Sequence, residues 1–207
     1  MTVTNQQENS IPKGKSKRQR WLLLALLAVF LAPAIAPWLW TPDSFRNKGG
    51  LVEPPRALSS VVLASADGAS VELKSLFGKW TYVYFISGAC DAQCQQVIGS
   101  LERVRIAQGK KARRLRLLLI PLLPEQLSAV SQVRLDLPEA VVLGVSAEEK
   151  DSLVSQFLLD SGSPLTGESR IYLVDPLGNL MMSYPIDADP SDLSKDIGRL
   201  LRASHIG

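Results

Sequence analysis

Apolar residues in this chain gather into short runs whose spacing changes from place to place, and those changes predict its elements. Positions 21–40 carry no charged side chain, and a helix rising ~1.5 Å per residue needs about that length to cross a hydrocarbon core ~30 Å thick. Residues 41–56 then lose any apolar period and are rich in Pro, Gly and charge, which predicts a tether. Shorter segments begin near Leu58. Residues 61–64 and 70–73 flank Asp67-Gly68, a pair suited to the turn of a hairpin. The β-branched and aromatic run TYVYFI at 81–86 predicts a buried strand. After a loop of small residues, Val97, Leu101 and Val104 recur at helical spacing over 93–108, with Gly109 as a stop.

Residues 115–122 predict another buried strand, 125–134 a short helix between Pro124 and Pro138, and 140–145 a third central strand. Ser146 and Glu149 form a capping box at the head of a helix that runs through Leu153, Val154, Phe157 and Leu158 to Asp160-Ser161-Gly162. Strands 170–174 and 180–184 flank Pro176-Leu177-Gly178-Asn179 as a second hairpin. Asp189-Pro190 caps a last helix with Leu193, Ile197, Leu200 and Leu201 inward. Alternating strands and helices predict an α/β domain with a mostly parallel central sheet and antiparallel edges. That order fits a thioredoxin-like fold with an extra N-terminal β-hairpin, preceded by one transmembrane helix. The expected organisation is a cytoplasmic basic tail (1–20), the transmembrane helix (21–40), a tether (41–57) and a periplasmic thioredoxin-like domain (58–207).

Charge sets the orientation. Lys13, Lys15, Lys17, Arg18 and Arg20 precede the apolar run against Glu8 alone, an excess that keeps that end in the cytoplasm. The expected location is therefore the bacterial inner membrane, crossed once, with the C-terminal domain in the periplasm. A cleaved signal peptide ending at Ala34-Ile35-Ala36 is the alternative. Pro37 just past that cut, and Trp38 and Trp40 at the end of the run, favour the anchor. Without the tail, the net charge of +3 becomes 18 bases against 19 acids, so no nucleic-acid partner is expected. One basic cluster remains, Arg103, Arg105, Lys110, Lys111, Arg113, Arg114 and Arg116. It reads as a solvated face complementing a helix dipole, or as a dock for anionic lipid or an acidic partner.

The two cysteines of the chain, Cys90 and Cys94, fall in the turn between the strand at 81–86 and its helix. Free N–H groups and the positive dipole end at a helix start favour thiolate, the form that attacks disulfides and binds soft Cu(I). A structural disulfide is the plainer alternative for an exported chain, although three intervening residues close little chain entropy. Asp91, beside the first cysteine, opposes thiolate formation.

The stretch TYVYFISGACDAQCQQV resembles the segment of the SCO/SenC family in which an apolar strand runs into Cys-x-x-x-Cys at a helix start. The likeness extends over roughly 58–202, including Gly78-Lys79-Trp80 and the run 171–178, IYLVDPLG. It implies a membrane-tethered thioredoxin-fold domain that assists cytochrome c oxidase assembly, delivering copper or reducing cysteines of the copper site. Partners would then be the inner membrane and an oxidase subunit or other assembly factors, and Cys90 and Cys94 would be both the redox pair and the metal ligands.

The chain also departs from that family. Its copper-ligand histidine falls at Gly167 by spacing, its proline after the second cysteine is Gln95, and its Asp-Pro after the second strand is absent at Leu122-Leu123-Pro124. Two thiolates without that histidine suit Cu(I) alone. His205, the single histidine, and one of Met181 and Met182 are the remaining candidate ligands; adjacent strand residues point to opposite faces. Three readings follow: an oxidase assembly factor, a thiol-disulfide oxidoreductase of exported proteins in which Cys90 attacks and Cys94 resolves, and a non-catalytic thioredoxin-fold scaffold. The first two lack full signatures, since the family's histidine is missing for the one and the proline such oxidoreductases place near Ser169 is missing for the other. Phosphate-loop, histidine-cluster and serine-hydrolase patterns are not found.

Overall fold

The structure, a computed structural model, describes residues 17–39, 47–132, 137, 139–160, 162–165, 169–204 and 206. The chain divides into two compact units, Met1–Arg46 and Asn47–Gly207. In the first, α1 (Lys17–Leu39) is a 23-residue helix holding the apolar run expected to span the membrane. Its side chains are described at 17, 20–33 and 35. Among the described residues no helix is long and apolar enough to cross a membrane.

The second unit is built on a six-stranded sheet. Its strands are β1 (Gly50–Ala57), β4 (Trp80–Ile86), β5 (Leu115–Pro121), β6 (Ala140–Val142), β8 (Arg170–Val174) and β9 (Asn179–Pro185), in the order β1-β9-β8-β4-β5-β6. β4, β5 and β6 are parallel; β8, β9 and β1 add antiparallel neighbours. β2 (Val62–Ala64) and β3 (Ser70–Glu72) form the expected N-terminal hairpin, which joins β7 (Gly144–Val145) in a second, three-stranded sheet.

Side-chain alternation along β4 divides the core in two. Trp80, Tyr82, Tyr84 and Ile86 face α2 (Ala92–Ala107), α3 (Leu127–Ser131) and α5 (Pro190–Ala203), where Val97, Leu101, Val130, Leu193 and Ile197 are buried with them. Val83 and Phe85 face α4 (Ala147–Gln156) and the hairpin, with Leu63, Leu153 and Phe157. On that face Phe85, Phe157 and Tyr172 meet edge to face at centroid separations of 4.9, 5.1 and 5.8 Å, each pair adding about 0.5–1.5 kcal/mol beyond its buried area. The β8–β9 turn needs a glycine. Gly178 has φ +88°, and a Cβ there would stand 2.1 Å from the Phe77 ring.

Four sequence expectations are corrected. Residues 50–57, expected as tether, form β1, because β9 offers an open edge and Arg56 and Ala57 pair with Leu180 and Asn179. The expected strand 140–145 breaks at Leu143 into β6 and β7, which serve different sheets. Leu158 lies beyond the end of α4 and is exposed, whereas Leu200, half-buried, packs against the core as expected. Of the capping box one half forms: Ser146 Oγ accepts the Glu149 N–H, while neighbouring Glu148 is held below its ordinary pKa by its own backbone N–H and then by the Ser146 hydroxyl. Residues 133–136 and 138, at the end of the expected helix 125–134, lie outside the described residues.

Candidate functional site

β4 delivers the chain to the carboxyl end of the parallel strands, where sites gather in open α/β sheets. Beyond Ile86 the residues Ser87, Gly88 and Ala89 are exposed and Cys90 is half-buried. Asp91 caps α2. Helical periodicity then places Cys94 on the inward face with Val97, Ile98 and Leu101, and Cys94 is 5% exposed. Cys90, preceding the helix, packs only against the margin of that cluster. The two sulfurs are bonded to each other, with Cα atoms 5.1 Å apart. Sequence spacing thus brings both cysteines to one point and leaves one of them reachable.

Asp91 organises the turn. Its Oδ1 accepts the Cys94 N–H at 2.9 Å, its carbonyl accepts the Gln95 N–H at 3.0 Å, and its own N–H donates to the Ala89 carbonyl at 2.9 Å. Gln95 reaches back, its Nε2 donating to the Cys90 carbonyl at 3.5 Å. Across the sheet, the Leu122 N–H donates to the Ile86 carbonyl at 2.9 Å, while Leu127 and Val130 of α3 belong to the same cluster as Cys94. The Tyr84 phenol, in a residue 6% exposed two positions before the end of β4, is held above its ordinary pKa by burial and then by the Asp91 charge.

A groove of about 380 Å³ runs along α2 from Gln93 to Arg103. Val97, Leu101, Ile171 and Leu193 supply apolar lining, and Gln93 and Asp187 are among its polar residues.

Other sequence candidates fall elsewhere. Met182 is buried and aligned with Leu173, which is aligned with Tyr82. Tyr82 lies four residues below the end of β4, or roughly 13 Å at 3.3 Å per residue. Met181 is half-buried against the same core. Neither methionine is at the cysteine end. The basic cluster is largely engaged: Lys111 and Arg114 donate to the Leu201 carbonyl, and Arg114 also to those of Ser204 and Ile206. Arg105 makes a bidentate pair with Glu102, and Arg116 donates to the Leu76 carbonyl. Lys111 and Arg114 thus complement the carboxyl end of α5, a helix-dipole role. Ser169 is exposed, whereas Gly167 and His205 lie outside the described residues. Among the described residues no group of three or more His, Cys, Asp and Glu could hold a metal ion.

Sequence reasoning missed two groups. Asp91 as the cap was legible from an acid just before an apolar-periodic run. The Asp196 carboxylate had no sequence signal. It is 1% exposed and accepts the Lys48 and Gly49 N–H groups at 2.8 and 3.1 Å and the Tyr184 hydroxyl at 3.2 Å. A Cβ on Gly49 would stand 2.5 Å from the Tyr184 ring, so glycine is what lets the chain reach this carboxylate.

A cysteine pair at the strand-to-helix turn of a sheet with helices on both faces defines a thioredoxin-like protein. Residues 80–204 match the profile of the family described as transmembrane-like, thioredoxin-like, C-terminal domain, and the chain belongs to that family. No curated protein matches it by sequence. Among solved structures it is similar to Arabidopsis thaliana ScoI with copper bound, at TM-score 0.59 and 23% identity over 70% of this chain and 98% of that one. It is similar to yeast Sco1 with copper bound, at 0.60 and 18% over 72% and 91%. A thiol:disulfide interchange protein from Bacteroides sp. gives 0.55 and 15% over 73% and 91%. The resemblance to SCO/SenC drawn from the sequence is thus met in the fold, which Sco proteins share with thiol-disulfide oxidoreductases.

Proposed function

We propose that this chain is a membrane-anchored thioredoxin-like factor for haem-copper oxidase assembly, working through Cys90 and Cys94 on the periplasmic side of the bacterial inner membrane. The observation that carries the reading is the asymmetry of the pair, with a reachable Cys90 ahead of α2 and a buried Cys94 inside its first turn. Such a pair can exchange. The reduced Cys90 thiolate attacks one sulfur of a partner disulfide, forming a mixed disulfide and releasing one partner thiolate. Cys94 thiolate then attacks Cys90 Sγ, releasing the second partner thiolate. The partner gains two electrons and the pair is left oxidised. With copper as cargo, the same two thiolates supply soft donors suited to Cu(I). With Gly167 at the place of the family's histidine, the two thiolates suit Cu(I) better than a site that also accepts Cu(II). Partners on this reading are an oxidase subunit or other assembly factors.

The second reading, an oxidoreductase of exported proteins, draws on the shared fold and the same exchange chemistry. One pair of measurements separates the readings: the reduction potential of the full chain, and anaerobic Cu(I) titration of the reduced chain beside a Cys90→Ser, Cys94→Ser variant. A potential of roughly −180 to −270 mV with about one Cu(I) per chain, lost in the variant, is the expected result. Exchange without thiol-dependent copper binding would move the assignment to the oxidoreductase. A potential below about −300 mV would mark a structural bridge and the scaffold reading.

A further inference from the structure

We infer that Asp91 is a positioning residue that biases the Cys90/Cys94 pair toward its disulfide form and slows attack by Cys90, through the amide it occupies and the negative charge it brings. The inference rests on the reading of the two cysteines as an exchanging pair. At an ordinary helix start the first N–H groups lack intrahelical partners and, with the positive dipole end, stabilise a nearby thiolate. At the head of α2 the Cys94 N–H is already taken by Asp91 Oδ1 at 2.9 Å. Where a thiolate would draw stabilisation, a carboxylate stands instead, one residue from Cys90.

Among the described residues no Lys or Arg forms an ion pair with that carboxylate. Its field reaches inward as well, since it acts on the buried Tyr84 phenol beneath the turn. Reducing the bridge takes up two electrons and, for each sulfur left as a thiol, one proton; the fraction of Cys90 left as thiolate shares this corner with Asp91. Like charges so placed oppose each other, so thiolate-dependent attack is slowed and the reduced state loses the stabilisation that a thiolate would give it.

Two substitutions separate the charge from the amide. Asp91→Asn keeps a good cap and removes the charge, while Asp91→Ala removes both. Two readouts are used on the full chain: alkylation of Cys90 by iodoacetamide at neutral pH in a Cys94→Ser background, and equilibration of the intact pair with dithiothreitol at pH 8. The expected order of alkylation rates is wild type, then Asp91→Asn several-fold faster, then Asp91→Ala at least as fast. In the intact pair, Asp91→Asn should shift the equilibrium about tenfold toward the dithiol, or ~30 mV less negative. Rates and equilibrium unchanged in Asp91→Asn, with only the thermal midpoint lowered in Asp91→Ala, would reduce Asp91 to a helix cap and overturn the inference while leaving the exchanging pair intact. A wild-type pair that dithiothreitol cannot open would remove the functional reading and the inference together.

Discussion

Among the carboxylates of this domain that accept backbone N–H groups, Asp196 and Asp91 have opposite settings. Asp196 is sealed in the core between α5 and β9, with the Lys48 and Gly49 amides and the Tyr184 hydroxyl as partners. Asp91 is exposed at the head of α2 and takes one amide beside a disulfide. A buried carboxylate with several donors ties distant segments together, here across a separation of 147–148 residues. An exposed one with a single donor contributes little to the core. It sits where its charge bears on sulfur chemistry.

The sharpest way to break the comparison is Asp196→Ala, which strands two amides and a buried phenol. It should cost about 3 kcal/mol of stability, read from urea unfolding, and leave the alkylation rate of reduced Cys90 near wild type. Next is alkaline pH. Burial raises the Tyr172 pKa to about 12, and Tyr82 and Tyr184 are raised further, with Asp196 contributing to both. Because these folded-state values lie above the unfolded value near 10, the stability they contribute is present below pH 10 and is lost as pH rises through 12 and beyond. Unfolding midpoints measured between pH 9 and 12 should fall together with the appearance of tyrosinate absorbance. A flat profile would mean the phenols ionise without unfolding. The smallest effect belongs to Asp91→Ala, about 1 kcal/mol for a lost cap, by the same urea measurement. A loss as large as that of Asp196→Ala would erase the distinction between the two carboxylates.

What was legible in the sequence depended on how local the cause is. β4 and α2 follow from dense apolar periodicity, and the Asp189 cap from the chemistry of neighbouring residues, with its Oδ1 accepting the Ser191 N–H at 2.8 Å. The cysteine pair was legible for the same reason. β1 was not, since Gly50–Ala57, GLVEPPRA, has no alternation of its own and becomes a strand only because β9 supplies the partner. The break at Leu143 likewise answers to a second sheet that local pattern does not reveal. Asp196 reads in sequence as an ordinary polar helix position, and only the arrival of a glycine from the other end of the chain gives it a role.

β1 also governs how the domain meets its own kind. As the outermost strand of the large sheet it would offer a row of unpaired backbone groups to any passing chain, the usual starting point for edge-to-edge aggregation. Pro54 and Pro55 have no N–H to offer, and the pairing slips register between Leu51 and Arg56, so this rim makes a poor template. Behind it lies β9 with Leu180, Met182 and Tyr184, a long apolar strand. The proline-bearing segment therefore serves as a guard rail, and trimming the domain back to Leu58 would leave that stickier strand as its border.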